Sequence, residues 1–412
     1  MTAITALRDR HAHVALVNVP LHGHVNPTLS LAGELVSRGH RVSYATAGEF
    51  ADEVTAVGAT PVLPACPRLR WNGGLDRGFT LAAAYAAATL TPLVEAFRND
   101  PPDVVLHDVL AFAGPALAAR WRVPSMMLAP THVPYQGWQE DMAITEEVIN
   151  DPQMTRFAEA CAVHGIPVHP DRLLRPPARA IAFFPRAFQR NAATLRGQCT
   201  FVGPTTAAAP PAGLPAPVRD GRRTVLITLG TLYHGRAEFY RACLDGLADL
   251  PWRVIMAVGP ELNPARLGPV PGNVSIHARV PQADILATAD AFITHAGMGG
   301  TMEALSHAVP LVAVPQMPEQ RVNAQQIAAL NLGVHLPPEQ ATPSALRNAL
   351  TTVTTDPAIA RGTADMREQI RHCGGARAAA LAVEELLARS LRPRPTAARS
   401  QGHLATTTRP PT

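Results

Sequence analysis

Ala291-Phe292-Ile293-Thr294-His295-Ala296-Gly297-Met298-Gly299-Gly300-Thr301-Met302-Glu303-Ala304-Leu305 decides how this 412-residue chain is read. Its apolar start, 291–293, reads as a buried strand. Met302-Glu303-Ala304-Leu305 reads as the first turns of a helix. The glycines between them let a ligand come close to the backbone. The free N–H groups and dipole of the helix start favour phosphate. Strand, glycine-rich turn and helix therefore make an anion site. The stretch is neither Gly-x-Gly-x-x-Gly with an acid about 20 residues on nor a turn ending in Gly-Lys-Ser/Thr. The chain has no lysine, so cationic contacts to phosphate must come from arginine or histidine.

The same strand-then-helix unit recurs along the chain. Apolar runs at His13–Val19, Arg41–Thr46, Val104–Asp108, Ser125–Ala129 and Ala180–Phe184 read as strands, with helices at Pro27–Arg38 and Ala113–Trp121. A second series follows at Thr224–Leu229, Arg253–Val258, Val274–His277, Ala291–Thr294 and Leu311–Val314. This alternation predicts an α/β fold of two doubly wound parallel sheets. The expected division is 1–207, a linker at 208–222, and a second domain at 223–375. A last helix is expected at 376–391 and a Pro/Thr/Arg tail at 392–412, which reads as disordered. The linker expectation rests on the proline- and alanine-rich run 204–217. In such sheets ligands bind beyond the carboxyl ends of the strands, so two facing sheets suggest a cleft with two substrates.

Composition narrows the classes. Hydrophobic residues make up 47% and charged residues 17%, as in a globular protein. The net charge of +4 is matched by four arginines, 392, 394, 399 and 409, in a tail without acids. It is weak evidence for nucleic-acid binding. Five scattered cysteines (66, 161, 199, 243 and 373) without a Cys-x-x-Cys pair fit a reduced cytoplasmic setting. No signal peptide and no membrane span are expected. Leu81–Leu93 is alanine-rich but short and interrupted by polar residues.

His22-Gly23-His24-Val25-Asn26-Pro27 follows the first strand, with Asn26 as a candidate helix cap and Pro27 at the first helical position. A histidine there can act as a general base near neutral pH. Asp108 ends another strand and could orient it by the relay logic of hydrolytic triads. Either histidine could instead cap or pack. Gly230-Thr231 ends the first strand of the second half and offers a hydroxyl to phosphate. Gln282, in a loop after Val280-Pro281, could pair with an amide-like base edge. Glu319 and Gln320, after Pro315, are side chains of the kind that read sugar hydroxyls. Each signal is modest alone; all lie at strand carboxyl ends.

Together these residues resemble the GT-B glycosyltransferases of the UDP-glycosyltransferase superfamily, and bacterial macrolide glycosyltransferases in particular. The similarity runs from about His13 to Leu387 and is most specific over Val280–Ala324. It implies an inverting hexosyltransferase that moves a sugar, glucose above all, from a UDP-sugar to a hydroxyl of a small apolar molecule such as a macrolide or polyphenol. His24 would be the base and Asp108 its partner. Gln282 would meet uracil, and Arg279 would take the place of a tryptophan that stacks on the base in many relatives. His295, Gly297, Gly299, Gly300, Thr301 and Thr231 would cradle the diphosphate. Glu303 would hold the ribose, and Glu319 and Gln320 the sugar. Thr301 keeps the hydroxyl of a common serine, and Glu319 stands where an aspartate is frequent.

The absence of Asp-x-Asp fits an enzyme with no metal and no cofactor beyond the UDP-sugar co-substrate. Segments 65–88 and 131–151 are expected to wall the acceptor, with Phe79, Phe112, Tyr135 and Trp138 among the apolar candidates beside Trp71, Tyr85, Met126 and Met127. Several of these suit ordinary core equally well. The expected partners are the two small substrates, for a monomer or homodimer that binds no nucleic acid. The role implied is antibiotic inactivation or natural-product tailoring. The competing readings are a TDP-deoxysugar transferase and a non-catalytic auxiliary protein of the same fold.

Overall fold

The computed structural model describes residues 11–65, 78–167, 173–205, 221–230 and 236–390. Thr231, Trp71, Cys66, most of the expected linker and the tail from 392 lie outside these residues.

The first half contains β1 (His13–Val17), α1 (His22–Ser37), β2 (Arg41–Ala45), α2 (Ala51–Ala56), β3 (Thr60–Val62) and α3 (Gly78–Ala96). It continues with β4 (Val104–Asp108), α4 (Ala113–Trp121), β5 (Ser125–Ala129), α5 (Trp138–Asp141), α6 (Glu146–Ile149), α7 (Pro152–Val163), β6 (Arg179–Ala182) and β7 (Gln198–Phe201). Its sheet is parallel, with the order β3-β2-β1-β4-β5-β6-β7.

The second half begins with β8 (Arg223–Thr228), α8 (Ala237–Leu247), β9 (Trp252–Ala257), β10 (Val274–His277), α9 (Gln282–Leu286), β11 (Ala291–Thr294) and α10 (Met298–Ser306). Then come β12 (Leu311–Ala313), α11 (Pro318–Ala329), β13 (Gly333–His335), α12 (Pro343–Thr355), α13 (Pro357–Arg371) and α14 (Gly375–Ser390). Its parallel sheet runs β10-β9-β8-β11-β12-β13.

Both sheets reverse direction at one place, between β1 and β4 and between β8 and β11. That switch point is where a doubly wound sheet opens a crevice for ligands. The central strands are mostly apolar because both of their faces are covered, with polar residues such as His107 and Asp108 at their carboxyl ends. Val14 and Leu16 of β1 pack under α1, while Ala15 and Val17 pack on the side of α3 and α4.

The strands read from sequence form with ends shifted by at most a few residues. Three more, β3, β7 and β13, escaped that reading. Each is short, lies at a sheet edge and is half-exposed or mixed in burial. An edge strand buries too little to carry a continuous apolar run.

Helix α1 departs from expectation. It starts at His22, five residues before Pro27, and Leu21 occupies the cap position without a side-chain cap. Asn26 is exposed within the helix. Pro27, the sixth helical residue, removes the N–H that would bond the Gly23 carbonyl and crowds that carbonyl, so the first turn of α1 is held without that bond.

Helix α3 is 19 residues long, more than the Leu81–Leu93 stretch, and is long and apolar enough to cross a membrane by length and composition. Its apolar positions Ala82, Ala83, Tyr85, Ala86, Leu90 and Leu93 are buried in the core beside α4 and α7.

Helix α14 does not stay with the second sheet. Ala379, Ala380, Val383 and Leu387 pack with Leu31 and Leu35 of α1 in the first domain's core. Arg38 Nε and Nη2 each donate at 2.7 Å to the Glu384 carboxylate. Where the chain returns, Gly375 N–H donates to Val202 carbonyl at 2.8 Å. The described cysteines 161, 199, 243 and 373 are free thiols.

Candidate active site

The carboxyl ends of the two sheets bring the expected residues together in two groups. In the first domain, β1 leads into α1 and presents His24 as the helix's third residue. Asp108 ends the neighbouring strand β4. His24 Nδ1 lies 2.8 Å from Asp108 Oδ2. The other carboxylate oxygen accepts Leu110 N–H at 2.8 Å. Asp108 is fully buried and His24 is 18% exposed.

With Nδ1–H donated to the carboxylate, a neutral ring carries its lone pair on Nε2. Burial disfavours the cation, but the charge and hydrogen bond of Asp108, helped by Glu319, outweigh it. His24 is therefore held above the ordinary 6.5. That is the signature of a base whose conjugate acid is stabilised as a proton arrives. His22 is exposed and packs edge-on against Phe50 at 4.9 Å. The structure thus separates the two histidines that the motif left equivalent.

Beneath His24, Asn18 Nδ2 donates to His24 carbonyl at 3.0 Å, to Thr28 Oγ1 at 2.9 Å and to Tyr44 Oη at 3.0 Å. These buried groups fix the backbone that carries the base. They escaped sequence reading because a single polar residue after a strand has no distinctive pattern.

In the second domain, β11 passes into α10 through Ala296, whose φ of 63° is unusual for a residue with a Cβ. Gly297 holds the cap position with no side-chain cap, so the first amides of α10 are free of such a partner. The glycines here make room for His295. A Cβ on Gly230, at φ +76°, would come within 2.5 Å of the imidazole, and one on Gly297 would come equally close. Burial pushes His295 down to about 4, with a backbone hydrogen bond to Thr228 opposing. The ring is thus neutral at ordinary pH, a polar donor and not a fixed cation. Gly299 has open space where its side chain would be. Thr301 is fully buried, and its hydroxyl has no hydrogen-bond partner among the described residues.

Gln282 is the first residue of α9, not a loop residue, and its Nε2 donates to Glu303 Oε2 at 2.6 Å. Burial raises the Glu303 carboxyl above its usual range, while Gln282 and His307 oppose. The two residues expected at adjacent parts of a nucleoside are thus hydrogen-bonded to each other over Gly300. Arg279 is exposed.

Glu319 sits in the first turn of α11. Its Oε1 accepts Thr131 Oγ1–H at 2.8 Å and Asn323 Nδ2–H at 2.6 Å. Burial lifts this carboxyl too, against those hydrogen bonds and the charge of His24. Thr131 belongs to the first domain, so this contact joins the two halves beside the base. Gln320 is buried, with its side-chain oxygen accepting Gln316 N–H at 2.8 Å.

Phe112, Tyr135 and Trp138 are buried in the core of the first domain, and Phe79 is partly buried against it. Phe79 meets Trp138 edge-on at 5.5 Å, and Tyr135 O–H donates to Asp141 Oδ2 at 2.5 Å. Thr131 and Asn323 were missed as site residues. The rule that ligands gather at strand carboxyl ends could have flagged Thr131, which follows β5 closely.

Residues 241–374 match the family described as erythromycin biosynthesis protein CIII-like, C-terminal domain. An NDP-glycosyltransferase of Bacillus licheniformis, YjiC, is 36% identical over 92% of this chain and 98% of its own length. The oleandomycin glycosyltransferase of Streptomyces antibioticus is also 36% identical, over 93% of each chain. Among solved structures, the glycotransferase of kitacinnamycin superposes with a TM-score of 0.82 at 33% identity, covering 92% of this chain and all of that one. The chain is therefore an enzyme of the GT-B UDP-glycosyltransferase family, close to the bacterial macrolide glycosyltransferases.

Proposed function

We propose that the protein transfers a hexose, glucose above all, from a UDP-sugar to a hydroxyl of a small apolar natural product of the macrolide or polyphenol kind. The observation that carries this reading is the 2.8 Å His24–Asp108 pair facing Glu319 of the other domain. In the proposed reaction His24 Nε2 takes the acceptor's hydroxyl proton. The oxygen attacks the anomeric carbon from the face opposite the diphosphate. A new C–O bond forms, the bond to phosphate breaks, and the configuration inverts. Asp108 stabilises the imidazolium, and the amides at the start of α10 with His295 receive the charge on the leaving diphosphate.

Gln282 and Glu303 exchange their mutual hydrogen bond for base and ribose. Arg279 is assigned to stacking and Gln320 to the sugar beside Glu319. Gly297, Gly299 and Gly300 let the diphosphate approach, while Thr301 and Thr231 supply hydroxyls. Phe79 and Trp138 begin the acceptor wall, with Phe112 and Tyr135 behind them. No metal takes part. Resemblance to enzymes named for oleandomycin and kitacinnamycin supports an antibiotic-like acceptor.

A TDP-deoxysugar is the second reading. It is favoured by the engagement of Glu319 Oε1 with Thr131 and Asn323, which leaves one oxygen for sugar hydroxyls. Thermal shift with UDP, UDP-glucose and TDP separates the readings, because a ligand that binds only the folded protein raises its apparent stability. Stabilisation by UDP-glucose, unaffected by chelator, is the expected result. Stabilisation by TDP alone would transfer the assignment to the deoxysugar donor, and a response to neither would remove both donor readings.

A further inference from the structure

His132, just after β5, lies where no reaction step needs a histidine. It is fully buried and stacked on Phe188, with ring centres 5.9 Å apart and planes 2° from parallel. Its Nδ1 faces Arg190 N–H at 3.4 Å and acts as acceptor. The proton of the neutral ring is then on Nε2. Among the described residues that Nε2 is buried without a partner, and so is Oδ1 of Asn323 on α11. The two side chains are near enough for Asn323 to favour the protonated ring, although burial dominates and pushes His132 down to about 3.

The Asn323 amide is oriented by its other end. Its Nδ2 donates to Ala296 carbonyl at 2.8 Å and to Glu319 Oε1 at 2.6 Å. Exchanging its oxygen and nitrogen would lose both bonds. A buried donor and a buried acceptor left apart are costly, and each is the partner the other lacks.

We propose that His132 and Asn323 form a strut between the domains that positions the Glu319 carboxylate and the turn at Ala296 for the donor sugar. The proposal rests on the nucleotide-sugar reading above. The strut runs from Arg190 N–H to His132 Nδ1, from His132 Nε2–H to Asn323 Oδ1, and from Asn323 Nδ2 to the two donor-side groups. Thr131 braces the same Glu319 oxygen from the first domain. His132 and Asn323 are positioning residues, because neither needs to touch the sugar. Closing the two domains therefore sets the orientation of the group that reads the sugar.

His132→Phe keeps a flat ring over Phe188 and removes the donor. Losing a buried hydrogen bond of this kind is expected to lower kcat/KM for the nucleotide sugar about tenfold or more, with the acceptor KM little changed. His132→Gln, whose amide can donate, should recover most of the loss. The double variant His132→Phe/Asn323→Leu should be no worse than the worse single one, since the residues act through one bond. Unchanged donor parameters in His132→Phe, or losses that multiply in the double variant, overturn the proposal.

Long-range proton–nitrogen spectra of the wild-type imidazoles give a readout independent of turnover and of variant folding. A neutral His132 with its proton on Nε2 at about pH 5 supports the strut, and a proton on Nδ1 overturns it. A wild-type protein that shows this tautomer but transfers no sugar would refute the functional reading and leave the contact intact.

Discussion

His24 and His295 both stand where a central strand passes into a helix, the first after β1 and the second after β11, the counterpart of β4, yet they are tuned in opposite directions. The first has a buried carboxylate at 2.8 Å and is held above the ordinary 6.5. The second has no carboxylate acting on it among the described residues and is pushed by burial to about 4. The difference shows that a strand-to-helix passage supplies a place at the sheet edge while one neighbouring side chain supplies the chemistry. The ring proposed to take a proton is paired with an acid. The ring proposed to face diphosphate stays neutral beside two glycines.

The largest test of this contrast is His24→Ala. Loss of a general base lowers transfer by about 10²–10⁴-fold, while titration with the nucleotide sugar should show nearly unchanged affinity. Transfer at the wild-type rate would end the assignment. Asp108→Asn should also cut turnover, and it moves the pH profile. The base must be neutral, so the wild-type rate rises with pH through the raised His24 value. Without the carboxylate that inflection moves to lower pH, and a profile left in place would remove Asp108 from the pair.

Linkage gives the two histidines opposite stability signatures. The raised His24 contributes stability that is fully present below 6.5 and lost as pH rises through its folded value. The lowered His295 contributes stability that is present above 6.5 and lost as pH falls towards about 4. Relative to wild type, Asp108→Asn should lower the melting temperature mainly on the acid side of 6.5, where the raised His24 contributes, whereas a His295→Asn variant should raise it on that same side by removing a ring that burial keeps from its proton. Changes of the same sign in the two variants would break the contrast.

The glycines sharpen it further. Gly230→Ala forces a side chain into the His295 ring at a positive φ and should cost about 1–3 kcal/mol with weaker nucleotide binding. Gly23, beside the other histidine, lies within α1, and a methyl group there would meet nothing within 4 Å. Gly23→Ala, in the first turn of α1, should therefore be tolerated and stabilise the protein by at most about 0.5 kcal/mol. Calorimetry on the pair would reveal whether one glycine is structural and the other merely permitted.

Much of the fold was legible in the sequence because central parallel strands are buried on both faces and so appear as unbroken apolar runs. The edge strands β3, β7 and β13 lack that double cover and stayed hidden. The site was legible to the extent that its residues follow central strands, as His24, Asp108 and His295 do. Gln282 and Glu303 were read separately, and their 2.6 Å bond depends on the packing of α9 on α10. Thr131, His132 and Asn323 were obscure for another reason. Each has a neighbour in the opposite domain, and no local pattern records a contact made 188 residues away, as between Thr131 and Glu319.

The return of α14 to α1 also has a bearing on biosynthesis. Val383 and Leu387 fill the same core as Leu31 and Leu35, so the part of the chain that leaves the ribosome first is finished by a segment that leaves it much later. The second sheet can close on contiguous sequence, whereas the first must wait with one helix face uncovered. Domains emerge in order during synthesis at about 5–20 residues per second, which makes that wait tens of seconds. The half that carries His24 and Asp108 is thus the half whose nascent form most needs protection from aggregation.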